Sequence, residues 1–257
     1  SLPYVAFDAL RARRPHLYVG LGDQVYADLD PGGARPRTDA DFDALYRANW
    51  DDASLVACWQ NVPTMLMWDD HEIWNDYDGS FEAFAAPATR AYERFQRSRS
   101  AGETAWSIID LGPASMFVLD TRSFRSPNAA ADGPGKTMLG DAQRNALLAW
   151  IATEPAVHRI IASPTPFHPH ADTGKDAWAH GFAYERGLIL QAIADAGPEG
   201  FILVSGDQHW PAVLTNALPG GGTVREFQCT PIAAFRRTPP IAPSPDFSYV
   251  GDGSVGF

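Results

Sequence analysis

Leu17-Tyr-Val-Gly-Leu-Gly-Asp23 is the stretch on which the reading of this chain turns: an apolar run, Leu17 to Leu21, passes through one glycine into an acid. The same grammar recurs three times. Met65-Leu-Met-Trp68 runs into Asp69-Asp70-His71-Glu72, Met116-Phe-Val-Leu119 into Asp120-Thr121-Arg122, and Phe201-Ile-Leu-Val204 into Ser205-Gly206-Asp207-Gln208-His209. Short apolar runs bounded by turn formers read as strands. In open α/β sheets the ligand site lies beyond the carboxyl ends of the strands, so these four acidic ends are expected on one edge. A single strand-end aspartate is ordinarily just a turn former. Four of them form a pattern.

Outward from these runs, the chain alternates strands with amphipathic stretches, the signature of a layered α/β domain. Helices are expected at Asp39–Asn49 behind a Thr38/Asp39 cap, at Ala88–Arg99, at Asp141–Thr153 with an acidic cap, and at Tyr184–Ala196. A hairpin joins Trp106–Leu111 to Met116–Leu119 through Gly112-Pro113. Arg159–Ala162 adds a strand, and Ala212–Thr215 with Val224–Cys229 form a closing pair. With no repeat and no low-complexity linker, the 257 residues are read as one domain, 1–257. Ser1 is not a methionine and Tyr249–Phe257 stops in a turn, so both ends read as cut.

Composition narrows the function classes. Lysine plus arginine number 20 against 31 acids, a net charge of −11, which argues against general nucleic-acid binding or docking on anionic lipid. No run approaches the roughly 18 apolar residues of a membrane span. The two cysteines, Cys58 and Cys229, exclude a zinc ribbon or disulfide scaffold.

Carboxylates gathered on one edge cannot all stay ionised without counter-charge. Arg122 or Arg186 offers one remedy, and bound metal is the other. Carboxylate and amide oxygens suit hard cations such as Ca²⁺, whereas imidazole and phenolate favour iron or another transition metal. His71 and His209 each lie within two residues of a strand-end acid, so a mixed oxygen and nitrogen site is expected. Competing motifs fail. Gly20-Leu-Gly22 has Val25 where a dinucleotide turn needs its third glycine, and Gly135-Lys136-Thr137 has Ala130 where a phosphate loop needs its first. His71-Glu72 has no second histidine for a zinc-protease helix, and Ser254 lacks the first glycine of a nucleophile elbow.

Gly22-Asp23-Gln-Val-Tyr26-Ala-Asp28, Trp68-Asp-Asp-His-Glu72, Leu119-Asp-Thr-Arg122 and Ser205-Gly-Asp-Gln-His209 resemble, in order and spacing, the signature blocks of PhoD-like alkaline phosphatases. These belong to the calcineurin-like metallophosphoesterases. Asp176-Ala-Trp178 to Glu185-Arg186, and Pro231-Ile232, fit the same pattern. The resemblance implies a four-layer α/β/β/α sandwich with a metal cluster at the strand ends. It implies metal ligands at Asp23, Tyr26, Asp70, Asp207 and His209, and a further one at Asn75, preferred over Asp76. It places His71 as the catalytic histidine, while Arg122 either holds substrate phosphate or pairs with Asp120. Two or more metal ions are implied, Fe³⁺ and Ca²⁺ foremost, with Zn²⁺, Mn²⁺ or Co²⁺ as alternatives. The implied reaction is hydrolysis of a small phosphate ester, monoester or diester, by metal-activated water with an alkaline optimum. The family lean is to an exported, extracellular or periplasmic protein.

Two departures stand out. The earlier strand with a cysteine ligand that the resemblance implies does not occur in this sequence, and Ser163-Pro-Thr-Pro stands where many metallophosphoesterases carry a ligand histidine. His168 and His170, close by, are read as loop residues. The departures keep open a catalytically degenerate member that binds metal and a ligand or partner. A third reading, a carbohydrate-binding module, would use Trp74 or Trp178 beside Ca²⁺.

Overall fold

Alternation within single strands sorts the side chains of this protein into layers. A computed structural model describes residues 4–28, 35–80, 82–97, 106–170, 174, 176–229, 231–234 and 244–251; Ser1, Arg99, Ser254 and the tail from 252 onward lie outside them. In chain order the first elements are α1 (Val5–Ala12), β1 (Tyr18–Leu21), α2 (Asp39–Asn49), α3 (Ala53–Asn61), β2 (Thr64–Met67), α4 (Glu82–Phe95), β3 (Ser107–Asp110) and β4 (Ala114–Val118). There follow α5 (Gly140–Thr153), β5 (His158–Ser163), α6 (Trp178–Gly181), α7 (Ala183–Ala196), β6 (Phe201–Ser205), β7 (Ala212–Ala217), β8 (Thr223–Gln228) and β9 (Phe247–Val250).

β1 and β2 form a parallel pair, and the other strands make one sheet of order β3-β4-β5-β6-β8-β7-β9. Its centre, β4-β5-β6-β8, is parallel, and antiparallel strands close both edges. In β2, Leu66 packs with Phe7 of α1 and Leu55, Cys58 and Trp59 of α3. Its neighbours Met65 and Met67 turn the other way, onto Val118 and Ala162 of the large sheet. In β4, Met116 and Val118 meet that seam, whereas Phe117 joins Leu147, Trp150 and Ile151 of α5 and Ile189 and Ile193 of α7. Period-two alternation therefore gives the order helix, sheet, sheet, helix. The four-layer α/β/β/α expectation holds. α2 and α4 add Phe42, Tyr46, Ala91 and Tyr92 around Trp68 and Ile73, directly beneath the loop that follows β2.

Some local expectations shift. Helices α1 and α3 were not foreseen, and α4 starts at Glu82 and carries Pro87 within it. α2 begins as expected, with Thr38 and Asp41 forming a reciprocal capping box. The acidic cap expected on α5 is absent: Leu139 is its N-cap and Asp141 lies in the first turn. Its start is held from outside, because Thr137 Oγ1 accepts from Gly140 N at 2.8 Å and Glu185 accepts from Met138 N at 2.6 Å. No described helix is long and apolar enough to cross a membrane.

Phe117 and Ile108 are cross-strand partners of opposite burial, 0% and 49% exposed. Phe117→Ala is expected to cost about 3–5 kcal/mol through loss of packing and the cavity left behind. Ile108→Ala should cost about 1 kcal/mol or less. Urea midpoints of the two variants check that the helical layer covers Phe117 and leaves the edge strand β3 open.

Candidate metal centre

The turns after β1, β2 and β6 deliver Asp23, Asp69-Asp70 and Asp207 to one place. A ligand atom from each of Asp23, Asp69 and Asp207 lies within 4.8 Å of the others, and the same holds for Asp23, Asp70 and His71 and for Asp70, Asp76 and Asp176. The backbone is bent to achieve this. Asp23, Asp76, Asp207 and His209 all sit at positive φ, between 56° and 70°, a region that is uncommon for residues other than glycine.

One side chain ties the turns together. Glu72, fully buried, accepts from Asp23 N at 3.1 Å and Gln24 N at 2.8 Å after β1, and from Asp69 N at 3.0 Å after β2. Gln96 Nε2, just beyond α4, donates to the same carboxylate at 3.0 Å. Burial raises the Glu72 pKa against the pull of these donors.

Tyr26 bridges the two sheets. Its hydroxyl lies 2.8 Å from His209 Nε2 and 3.4 Å from Asp23 Oδ2, and its ring packs 4.3 Å from that of His71. Burial, then the neighbouring Asp23, drives the phenol pKa far up. His71 donates through Nδ1 to Asp28, 2.8 Å from Oδ1. Burial alone would lower the imidazole pKa, but the Asp28 hydrogen bond and the Asp70 charge raise it to about 9. Asp28 responds in the opposite sense: burial raises it, and the hydrogen bond from His71 brings it below the usual carboxylate value.

Asp70 accepts from His71 N at 3.0 Å and from Asp76 N at 2.5 Å. Asn75 lines the same cavity, of about 220 Å³, and its backbone N–H is held by Asp28. Asp76 lines it too, and its carboxylate joins Asp70 and Asp176, so the structure brings both weighed positions to the site.

Arg122 differs from expectation. Its side chain is fully buried, and its partners are Asp69 (Nε to Oδ1, 2.6 Å), both oxygens of Asp176 (2.8 and 2.7 Å) and the Tyr77 carbonyl. It neither lines the cavity nor pairs its guanidinium with Asp120. In this arrangement the buried guanidinium supplies counter-charge to Asp69 and Asp176. Arg125 also bonds Asp176, and the two guanidinium groups overcome burial to hold that carboxyl far below the usual range. Asp120 leaves the acid cluster: its Oδ1 accepts from Trp68 Nε1, Arg122 N and Ser123 N, the work of a turn former. Arg186 is elsewhere, on the Phe167 carbonyl and Asn216. His168 and His170 lie in the turn after β5, where His168 Nδ1 accepts from His170 N. Trp178 is core, stacked on Phe167.

Two arginines do not neutralise this many acids. Burial, then Asp70, Asp69, Glu72 and Asp207, pushes the Asp23 carboxyl well above its ordinary pKa. Asp23 Oδ1 and Asp69 Oδ2 are buried and have no hydrogen-bond partner. Such orphaned acceptors mark a place for protons or cations. Carboxylate oxygens beside a phenol and two imidazoles fit a mixed set of hard and transition-metal cations, so the residues present suit metal. Residues that sequence reading left without a role are Asp28, Asp69, Glu72 and Asp176. Their only signal was membership in, or adjacency to, the quoted blocks.

The family model described as PhoD-like phosphatase matches residues 2–243. Alkaline phosphatase D of Bacillus subtilis (strain 168) is 24% identical over 261 residues, covering 80% of this chain and 43% of that protein. The chain thus spans less than half the length of this curated relative. A solved structure of PhoD superposes with a TM-score of 0.83 at 22% identity, covering 97% of this chain and 59% of that one. Purple acid phosphatase PPD1 from yellow lupin (Lupinus luteus) seeds gives 0.63 at 12% identity, over 97% and 43% of the two chains. Both structural likenesses bear on the fold.

Glu72→Ala leaves the amides of Asp23, Gln24 and Asp69 without their acceptor. At about 1–3 kcal/mol for each stranded donor, a loss of roughly 3 kcal/mol or more is expected in chemical denaturation. Glu72→Gln, which retains one accepting oxygen, should lose less.

Proposed function

The chain belongs to the PhoD-like phosphatase family, and from that premise we propose that the protein it represents is a metal-dependent hydrolase of small phosphoric esters. The observation that carries this reading is the pair of buried, partnerless oxygens, Asp23 Oδ1 and Asp69 Oδ2, set among strand-end acids beside an oriented histidine. In this reading Asp23, Tyr26, Asp70, Asp207 and His209 hold the cations, with Asn75 or Asp76 completing the set. Oxygen donors favour Ca²⁺, and the Tyr26 phenol beside His209 favours Fe³⁺. Bound cations would polarise the phosphoryl oxygen and lower the pKa of water, supplying nucleophile and charge neutralisation.

The remaining work falls to the chain's own side chains. Asp28 fixes His71 through Nδ1, which leaves Nε2 as the nitrogen able to hand a proton to the departing alkoxide. The hydrogen bond to Asp28 favours the protonated imidazole. Asn128 donates to Asp176 at 3.0 Å and to the Asp76 carbonyl at 3.0 Å, which stiffens the cavity wall. Among the described residues, the cavity is lined by acids, amides, a glycine and two histidines. Bound cations would offset this acidic lining for an anionic substrate, and a net charge of −11 disfavours polyanionic nucleic acid.

Purified protein, loaded in turn with Fe³⁺ plus Ca²⁺ and with Zn²⁺, Mn²⁺ or Co²⁺, should hydrolyse nitrophenyl phosphate or bis-nitrophenyl phosphate, and Asp23→Ala should abolish turnover. Equal rates for the two proteins under every metal overturn the reading. Metal-induced thermal stabilisation without any hydrolysis would instead identify a degenerate binding member. Fe³⁺-loaded protein is expected to show a visible charge-transfer band that Tyr26→Phe removes.

A further inference from the structure

We propose that Asp69, to which the sequence resemblance gives no role, is itself a cation ligand, placed to share one ion with Asp23 and Asp207. The proposal rests on the metal reading above and extends it to a residue known here only by its geometry. Asp69 is 1% exposed, and its two oxygens have different fates. Oδ1 receives Arg122 Nε at 2.6 Å and lies 3.4 Å from Thr121 Oγ1, whereas Oδ2 is buried and has no hydrogen-bond partner. An ion pair with Arg122 accounts for the first oxygen and leaves the second unexplained. A ligand atom of Asp69 lies within 4.8 Å of ligand atoms on Asp23 and Asp207, and Asp23 Oδ1 is likewise buried without a partner. A single cation between these carboxylates satisfies both orphaned oxygens at once.

The surroundings hold Asp69 in this pose from three sides. Glu72 fixes its backbone N–H, Arg122 fixes one oxygen, and Gly22 supplies the space. A Cβ at position 22 would stand 2.3 Å from Asp69 Cβ and 2.7 Å from Asp69 N, closer than real side chains approach. The glycine ending the β1 block thus does more than turn the chain: its missing side chain admits the acid of the next strand. Three carboxylates and no nitrogen make the donor set hard, so Ca²⁺ is the matching probe.

Asp69→Asn tests the assignment, because the amide oxygen can still accept from Arg122 while the amide nitrogen cannot ligate. Wild type and variant are stripped with chelator, and melting temperatures are followed as Ca²⁺ is added, with bound metal counted by elemental analysis. The expected result is an apo variant that melts at or above apo wild type, since one unneutralised buried oxygen is gone. Its Ca²⁺-induced rise should shrink, with affinity weakened about 10- to 100-fold. An apo variant that melts lower but shows the full Ca²⁺-induced rise marks Asp69 as an ion-pair residue alone and overturns the proposal. A wild type that shows no rise overturns the metal reading itself, which separates the two failures. A crystal of Ca²⁺-loaded wild type reads the same point without a variant: Asp69 Oδ2 should stand about 2.3–2.6 Å from a cation. A cation that leaves this oxygen out overturns the assignment.

Discussion

The site depends on one buried carboxylate that does not face the cavity. Glu72 gathers the amides of Asp23, Gln24 and Asp69 onto two oxygens, so the turn after β1 and the turn after β2 share a single anchor. Without that anchor, two sharply bent loops carrying like charges would have every electrostatic reason to part. Neutral amide donors can hold an anion without adding net charge. The acids nearby must therefore find their neutralisation from other groups.

That neutralisation is divided by direction. On one side Arg122 and Arg125 are committed to Asp69 and Asp176 and are sealed from solvent. On the cavity side the described lining is acids, amides, a glycine and two histidines. Two guanidinium groups thus fix part of the acid cluster, and they leave the buried Asp23 Oδ1 and Asp69 Oδ2 without a partner. The geometry separates a permanent framework of charge from an exchangeable one.

Much of this was legible in the linear chain. Four apolar runs ending in acids gave the sheets and their common edge, because strand ends and turn formers are local features. Asp23, Asp70 and Asp207 were singled out through that pattern, and His71 and His209 through their place beside it; the structure brings these side chains together. The pairing of Arg122 with Asp120 was misread for a physical reason: its partner Asp176 is 54 residues away, and spacing alone favours the neighbour Asp120. Asp120 was over-read for the converse reason, since a turn-forming aspartate and a ligand look alike in sequence. Helices α1 and α3 escaped because they are short, eight and nine residues, and they are held by packing on Leu66 and one another. The α5 cap was misplaced because its true anchors, Thr137 and Glu185, come from a loop and from α7.

The hydrogen-bond contact between Tyr26 and His209 spans 183 positions of chain. A polypeptide emerging from the ribosome has already exposed Asp23, Asp69 and Asp70 long before β6 and its trailing loop exist to complete the pocket. The early half is therefore made with its carboxylates uncompensated, and closure of so long a loop awaits the packing of the large sheet. A chain that ends before β6 and the loop behind it lacks Asp207 and His209, and with them one whole side of the centre.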